Sequence, residues 1–299
     1  MAEGRISVRD RIQNAFARCV IGFALMLPYK ARVRLVGWVV SALVAPIAGW
    51  RTRIRTNLAH AVPELPETEV ERIVRGVCDN VGRALIEIYS GEEFLARVEN
   101  SPFVGPGVEA FEAFRASKSP MVLVTAHIGN YDAVRGTLAR QGLAMAALYK
   151  PMSNKAFNEH YVAAISSIGT PVYSAVGRGV AGLIRHLKDG GTIGIVGDVT
   201  RFAAPALSFF GRPAHTPVSA AEWAVTYNAP LIPIFGLRNP DGFTFRLHVG
   251  EPIPHGPPED MMQAYNDAVE TVVRENMAQW FWIHRRWRLK PESGVQSAS

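Results

Sequence analysis

The apolar run Met121-Val-Leu-Val-Thr125 ends in Ala126-His127-Ile-Gly-Asn-Tyr-Asp132, and a second run, Thr192-Ile-Gly-Ile-Val-Gly197, ends in Asp198. An imidazole and a carboxylate just beyond a strand are the residue types of general base chemistry. A carboxylate bonded to one ring nitrogen fixes the tautomer and leaves the other nitrogen free to take a proton from a hydroxyl. His127 and Asp132 are five residues apart, about 140° around a regular helix, so they cannot meet on one helix face. They can meet if His127 lies in a loop, Gly129 bends it, Asn130 caps the next helix and Asp132 stands in the first turn, from which the carboxylate reaches back. The helix amino terminus at Gly129 and Asn130 then also offers N–H groups to a developing oxyanion. The helix dipole accounts equally well for an aspartate in a first turn.

The elements that must hold these residues are readable from the apolar pattern. Four β-type runs, Met121 to Thr125, Ala144 to Tyr149, Thr192 to Gly197 and Leu231 to Leu237, alternate with helical segments. The helices run roughly from Tyr131 to Arg140, Ala156 to Ser167, Val180 to Lys188 and Val218 to Tyr227. Alternation of this kind implies an α/β fold with a mostly parallel central sheet flanked by helices. Such a sheet places ligands beyond the carboxyl ends of its strands, where His127 and Asp198 stand. Phe243 to Val249 follows the turn Asn239-Pro-Asp-Gly242 and reads as an antiparallel edge strand. A last helix is expected from Pro258 to Ile283. Upstream, Val70, Ile73, Val74, Val77, Val81, Leu85 and Ile88 recur at helical spacing after an acidic start at Pro66-Glu-Thr-Glu69.

The 299 residues carry 48% hydrophobic and 19% charged side chains with a net charge of +6, the profile of a globular enzyme that favours anionic partners. There is no Gly-x-Ser-x-Gly elbow, no Walker loop and no Gly-x-Gly-x-x-Gly after a strand, which weakens the serine hydrolase, nucleotide and dinucleotide readings. Gly177-Arg-Gly179 is a short phosphate-binding candidate. The two cysteines, Cys19 and Cys78, lack zinc spacing, and no metal is expected. The amino terminus has basic residues (Arg5, Arg9, Arg11, Arg18), an apolar run from Cys19 to Leu27, a turn at Pro28, a second run from Leu35 to Trp50 and then Arg51, Arg53 and Arg55. Neither run reaches the roughly 20 residues of a spanning helix, and Pro46 interrupts the second. Residues 1–55 are therefore expected to form a membrane-associated helical segment lying in the interface, residues 56–290 the α/β domain and residues 291–299 a disordered tail.

His127 to Asp132 matches the H-x-x-x-x-[DE] signature of the lysophospholipid acyltransferase superfamily. The surrounding blocks resemble its late lipid A acyltransferase branch, the lauroyl and myristoyl transferases of Gram-negative bacteria. Those blocks are Asn57-Leu58 with Pro63-Glu64, Tyr149-Lys150-Pro151, Asp198, Phe209-Phe-Gly-Arg-Pro-Ala-His-Thr-Pro217 and Gln279-Trp-Phe-Trp-Ile-His-Arg-Arg286, in the family's order. Three positions depart from the branch: Asp132 where Glu is more frequent, Lys150 where Arg is usual, and Val199 after Asp198 where Gln or His is common. These departures bear on the acceptor lipid rather than on the chemistry.

The resemblance implies an O-acyltransferase in which His127, oriented by Asp132, lets a lipid hydroxyl attack an acyl thioester of acyl carrier protein or coenzyme A, with no cofactor. The expected acceptor is a lipid A precursor at the cytoplasmic face of the inner membrane. A lysophospholipid or lyso-aminolipid, or a non-catalytic lipid-binding role, is the alternative. Lys150, Arg178 and Arg201 are candidates for gripping lipid or phosphopantetheine phosphates, as is Arg212 within its family block. Asp198 is a candidate either to orient a basic site residue or to polarise an acceptor sugar. The cluster from Trp280 to Arg288 is read as structural or lipid-facing, and no nucleic acid partner is expected.

Overall fold

A computed structural model describes residues 7–287; the expected tail at 291–299, together with Arg5 and Arg288, lies outside them. The chain opens with α1 (Val8–Leu25), α2 (Tyr29–Val39), α3 (Ala45–Ile47), α4 (Trp50–Ala61), α5 (Glu67–Tyr89) and α6 (Glu92–Val98). Then follow β1 (Phe103–Val104), α7 (Val108–Ala116), β2 (Met121–Thr125), α8 (Tyr131–Arg140), β3 (Met145–Tyr149), α9 (Lys155–Ile168), β4 (Val172–Ser174), α10 (Gly179–Lys188) and β5 (Thr192–Val196). The chain continues through β6 (Ala206–Phe209), β7 (Arg212–His215), α11 (Ser219–Thr226), β8 (Leu231–Arg238), β9 (Phe245–Val249) and α12 (Pro258–Glu275).

Seven strands form one sheet in the order β1-β9-β8-β2-β5-β3-β4, parallel throughout except for β8 against β9. Its strands bury both faces. On β2, Val122 and Val124 enter the core beneath α4, α5, α11 and α12, while Met121 and Leu123 enter the one beneath α2, α6, α8 and α9. A central parallel strand covered on both sides has to be apolar along its whole length, which is why β2 and β8 read as continuous runs.

Several expectations change. The strand β9 is antiparallel to β8 as expected, but it is not the edge: the two-residue β1 pairs with it in parallel. The hairpin β6–β7 was missed because it turns at Phe210 and Gly211, both with positive φ, and a phenylalanine at the first such position gives no turn signal. Helix α12 stops at Glu275, eight residues before the expected end. Asn276 leaves the helical region at φ −132°, and Asn276 and Gln279 hold the exit by side-chain and backbone bonds. From there residues 277–287 run as an irregular strap across the carboxyl edge of the sheet, bridging Ile128 through Trp280.

Pro46 does not break the second apolar run. The backbone widens to a π-helical turn over Val40–Val44, and the Ser41 carbonyl accepts a 2.6 Å bond from the Arg51 guanidinium. The break comes at Gly49, whose φ of 67° is left-handed.

Candidate functional site

Register builds the centre of the site. Strands β2 and β5 pair in parallel with Thr125 opposite Val196, and the Gly197 N–H extends the ladder to the Thr125 carbonyl. Two residues further on each strand come His127 and Asp198, so the two side chains leave adjacent strand ends side by side. Asp198 Oδ1 lies 2.7 Å from His127 Nδ1, and Asp198 Oδ2 accepts from the His127 backbone N–H at 2.9 Å and from Trp280 Nε1 at 2.9 Å. The carboxylate is 1% exposed. Burial alone would raise its pKa, but the charge and hydrogen bonds of His127, with His284 beyond, outweigh this and hold it well below the usual carboxylate range. An ionised Asp198 accepts from Nδ1–H, which leaves the Nε2 lone pair as the basic end of the ring. No group among the described residues hydrogen-bonds Nε2, and the side chain is 26% exposed.

Asp132 does not make the expected contact with His127. It stands in the first turn of α8, as expected, with Asn130 as the cap accepting from its N–H at 3.0 Å. Its Oδ1 instead takes two bonds from Arg135, at 3.0 and 2.6 Å, one helical turn on. Arg135 in turn donates to the Ile165 and Gly169 carbonyls at the end of α9. A guanidinium three residues away on the same helix face captures the carboxylate before it can reach back to the loop.

Gly129 and Asn130 are also corrected as oxyanion donors. Their N–H groups point into the protein and donate to the Gln279 carbonyl at 3.0 Å and the Gly236 carbonyl at 2.9 Å. The glycine is nonetheless required: φ is 57°, and a Cβ there would stand 2.1 Å from the Gly236 carbonyl oxygen.

His284 was not expected at the centre. Its Nε2 lies 3.0 Å from His127 Nδ1, and the two rings cross edge-on with centroids 4.4 Å apart. The rings of Phe281 and Tyr131 stand beside His127, with centroids 6.0 and 5.5 Å away. With the Nδ1 hydrogen of His127 directed at Asp198, a neutral His284 meets that nitrogen best through the Nε2 lone pair.

Burial, and next the neighbouring His127, push the His284 imidazole from 6.5 down to about 4. Between those values the unfolded chain binds a proton that the folded chain does not, so stability rises with pH there. The contribution of neutral His284 is full above about pH 6.5 and is lost as the pH falls toward 4, by about 2 kcal/mol at pH 5. Urea unfolding at pH 7 and pH 5 checks this: His284→Gln should flatten the loss seen in the wild type, and equal slopes would remove the assignment.

His127, Asp198 and His284 present three ligand-type atoms within 4.8 Å of one another. Two of the three separations are 2.7 and 3.0 Å. Ligands of a tetrahedral zinc at about 2.0–2.1 Å from the metal stand roughly 3.4 Å apart, so the spacing fits shared protons better than a shared cation.

The other candidates follow the sheet order. Lys150 directly follows β3, which neighbours β5, and Arg178 precedes α10 after β4, so both leave the same carboxyl edge as His127. Both are exposed and without a carboxylate partner among the described residues. Arg212 opens β7, exposed, with Nε donating to the His60 carbonyl at 3.2 Å.

The chain matches the model of the family described as bacterial lipid A biosynthesis acyltransferase over residues 10–289. Two curated relatives from Haemophilus influenzae, each called a lipid A biosynthesis acyltransferase, are 23% identical to it. One aligns over 284 residues, 91% of this chain and 87% of its own length; the other aligns over 288, 91% and 89%. An imidazole held by a buried carboxylate at the carboxyl edge of a parallel sheet suits the proton transfer that acyl transfer to a hydroxyl requires. With the match running nearly end to end, this chain is an acyltransferase and belongs to the bacterial lipid A biosynthesis acyltransferase family.

Proposed function

We propose that the chain transfers a fatty acyl group from a thioester, carried by acyl carrier protein or coenzyme A, to a hydroxyl of a lipid A precursor. The observation that carries the mechanism is the 2.7 Å contact from His127 Nδ1 to Asp198, which leaves Nε2 as the base. Nε2 removes the acceptor hydroxyl proton as the oxygen attacks the thioester carbonyl, so a C–O bond forms. The tetrahedral intermediate collapses with loss of the C–S bond, and the imidazolium returns the proton to the departing thiolate. Asp198 stabilises the imidazolium in between. The acceptor hydroxyl is itself the nucleophile, so the sequence needs neither an acyl-enzyme nor a metal.

Lys150, Arg178 and Arg212 supply positive charge for the phosphates of the lipid or of the donor's pantetheine arm, and an acidic carrier protein suits the same surface. The acceptor is reached from the membrane. Among the described residues no single helix is long and apolar enough to cross one, although the bent pair Tyr29–Ile47 and Trp50–Ala61 passes that test together. The amino-terminal helices expose Phe23, Met26, Trp38, Leu43 and Ile47, the last at 89%. With Arg18, Lys30, Arg34 and Arg53 carried on the same helices, that face suits the interface of an anionic leaflet, the cytoplasmic side of the inner membrane.

Lipid mass spectrometry of a host making the wild type, against one making folded His127→Ala at the same level, tests the reading. A chain added to lipid A only by the wild type is the expected result. Acylation of a phospholipid or aminolipid instead would replace the acceptor and keep the mechanism; activity surviving in His127→Ala would remove His127 as the base.

A further inference from the structure

We propose that Asn57, on helix α4, is a positioning residue for acyl transfer: its amide clamps the carboxy-terminal strap so that Trp280 and His284 meet Asp198 and His127. The inference rests on the reading of His127 as base.

The strap is anchored at Trp280, Trp282 and Arg286, whose side chains are buried, rather than by regular backbone structure. After α12 ends, its internal backbone bonds are local, such as Trp282 N–H to Trp280 and His284 N–H to Phe281, and its one sheet-like bridge is at Ile128. Between Trp280 and Arg286 the carbonyls of Trp282 and His284 are both held by one side chain far away in sequence. Asn57 is 4% exposed, and its single Nδ2 donates to both the Trp282 carbonyl at 2.7 Å and the His284 carbonyl at 2.8 Å. Two hydrogens of one planar amide on carbonyls two residues apart fix direction as well as distance.

The second of those carbonyls belongs to the residue whose ring touches His127, so a shift of the strap there carries the imidazole with it. Ordinary packing of α4 falls to its neighbour Leu58, which is fully buried in the core. A buried polar side chain beside it, spending both its donors on this strap, has a directional task that an apolar residue could not perform. Helix α4 also begins at the Gly49 break, directly after the exposed apolar segment, so the clamp joins the proposed membrane-facing helices to the base.

The test uses the full chain with dodecanoyl and tetradecanoyl thioesters of acyl carrier protein and coenzyme A, and a partly acylated lipid A precursor. Asn57→Ala should lower kcat by about 100-fold through misplacement of His284 and Trp280 against His127 and Asp198, with KM unchanged. Asn57→Asp, which sets a carboxylate oxygen against the two carbonyls, should do the same. Leu58→Ala should lose thermal stability but keep kcat once corrected for folded protein. Imidazole resonances of His127 and His284 should shift in both Asn57 variants and not in Leu58→Ala. Should Asn57→Ala not fold, Asn57→Ser, which keeps one donor, should show the same kcat loss in smaller degree.

A kcat equal to that of Leu58→Ala, or a loss confined to KM, overturns the proposal. His127→Ala is measured beside these variants. Activity surviving there defeats the base assignment itself, whereas activity lost there and kept in the Asn57 variants defeats the clamp alone.

Discussion

Asp198→Asn should lower kcat by about 10,000-fold while leaving the fold intact, the size of effect that follows when a catalytic imidazole is held in the wrong tautomer. The geometry dictates how the amide must sit. The Oδ2 position receives two donors, the His127 backbone N–H and Trp280 Nε1, so the amide oxygen has to occupy it. The NH2 group is then left at the Oδ1 position, 2.7 Å from His127 Nδ1. Facing a donor, Nδ1 becomes the acceptor, the ring proton moves to Nε2, and the base is gone. Rotating the amide would set NH2 against two N–H groups and is worse. Asp132→Asn should behave in the opposite way: it weakens a buried pair with Arg135 and should cost stability, about 3 kcal/mol, rather than chemistry. Steady-state kinetics corrected for folded fraction, with unfolding curves for both variants, separate the two. Turnover abolished in folded Asp132→Asn and retained in Asp198→Asn would return the orienting role to Asp132.

These two aspartates also mark what could be read from the residues alone. Both strands that carry the site were legible as apolar runs, and His127 and Asp198 were both visible as the first polar groups beyond them. Their pairing was not, because it depends on β2 and β5 being neighbours with Thr125 opposite Val196, and nothing local in either strand encodes a partner or a register. Proximity in sequence made Asp132 the apparent orienter. The competing signal was present in Arg135, three residues on and on the same helix face.

His284 was harder to find. It lies 157 residues from His127, in a segment whose composition reads as the end of a helix or a lipid-facing cluster. Only the stop at Asn276 turns that segment back over the sheet. Beside the β6–β7 hairpin, the strands the sequence did not announce are the short ones: β1 with two residues and β4 with three lack the length for an alternation to register. Lys150 was legible as a candidate from the block Tyr149-Lys150-Pro151 and Arg178 from Gly177-Arg-Gly179 before a helix; that both fall on one edge with His127 follows from the sheet order.

A second large effect is expected away from the reacting atoms, at Glu87. This residue is fully buried on α5 and forms a two-point pair with Arg238 at the end of β8, one bond of which is 2.8 Å. The pair extends to the catalytic loop: Asn130, the cap of α8, donates to Glu87 Oε2 at 2.9 Å, and Arg238 Nε donates to Asn80, whose amide donates to the Gly129 carbonyl at 2.8 Å. Truncating the glutamate strands a guanidinium that is only 7% exposed, and breaking a buried pair in this way costs about 3–5 kcal/mol. Glu87→Ala should therefore lose that much by urea unfolding, and the folded remainder should turn over slowly because the loop from His127 to Asn130 loses its support. Removing both charges tests whether the loss comes from the unpaired cation or from the missing attraction. In Glu87→Met with Arg238→Met the desolvation cost of both ions disappears, so much of the stability should return even though the ion pair is absent. Turnover should not return with it, since methionines cannot hold Asn130 and Asn80. A double variant as unstable as Glu87→Ala would mean that the attraction outweighs the desolvation; one that regains full turnover would mean that the network serves the fold and not the loop.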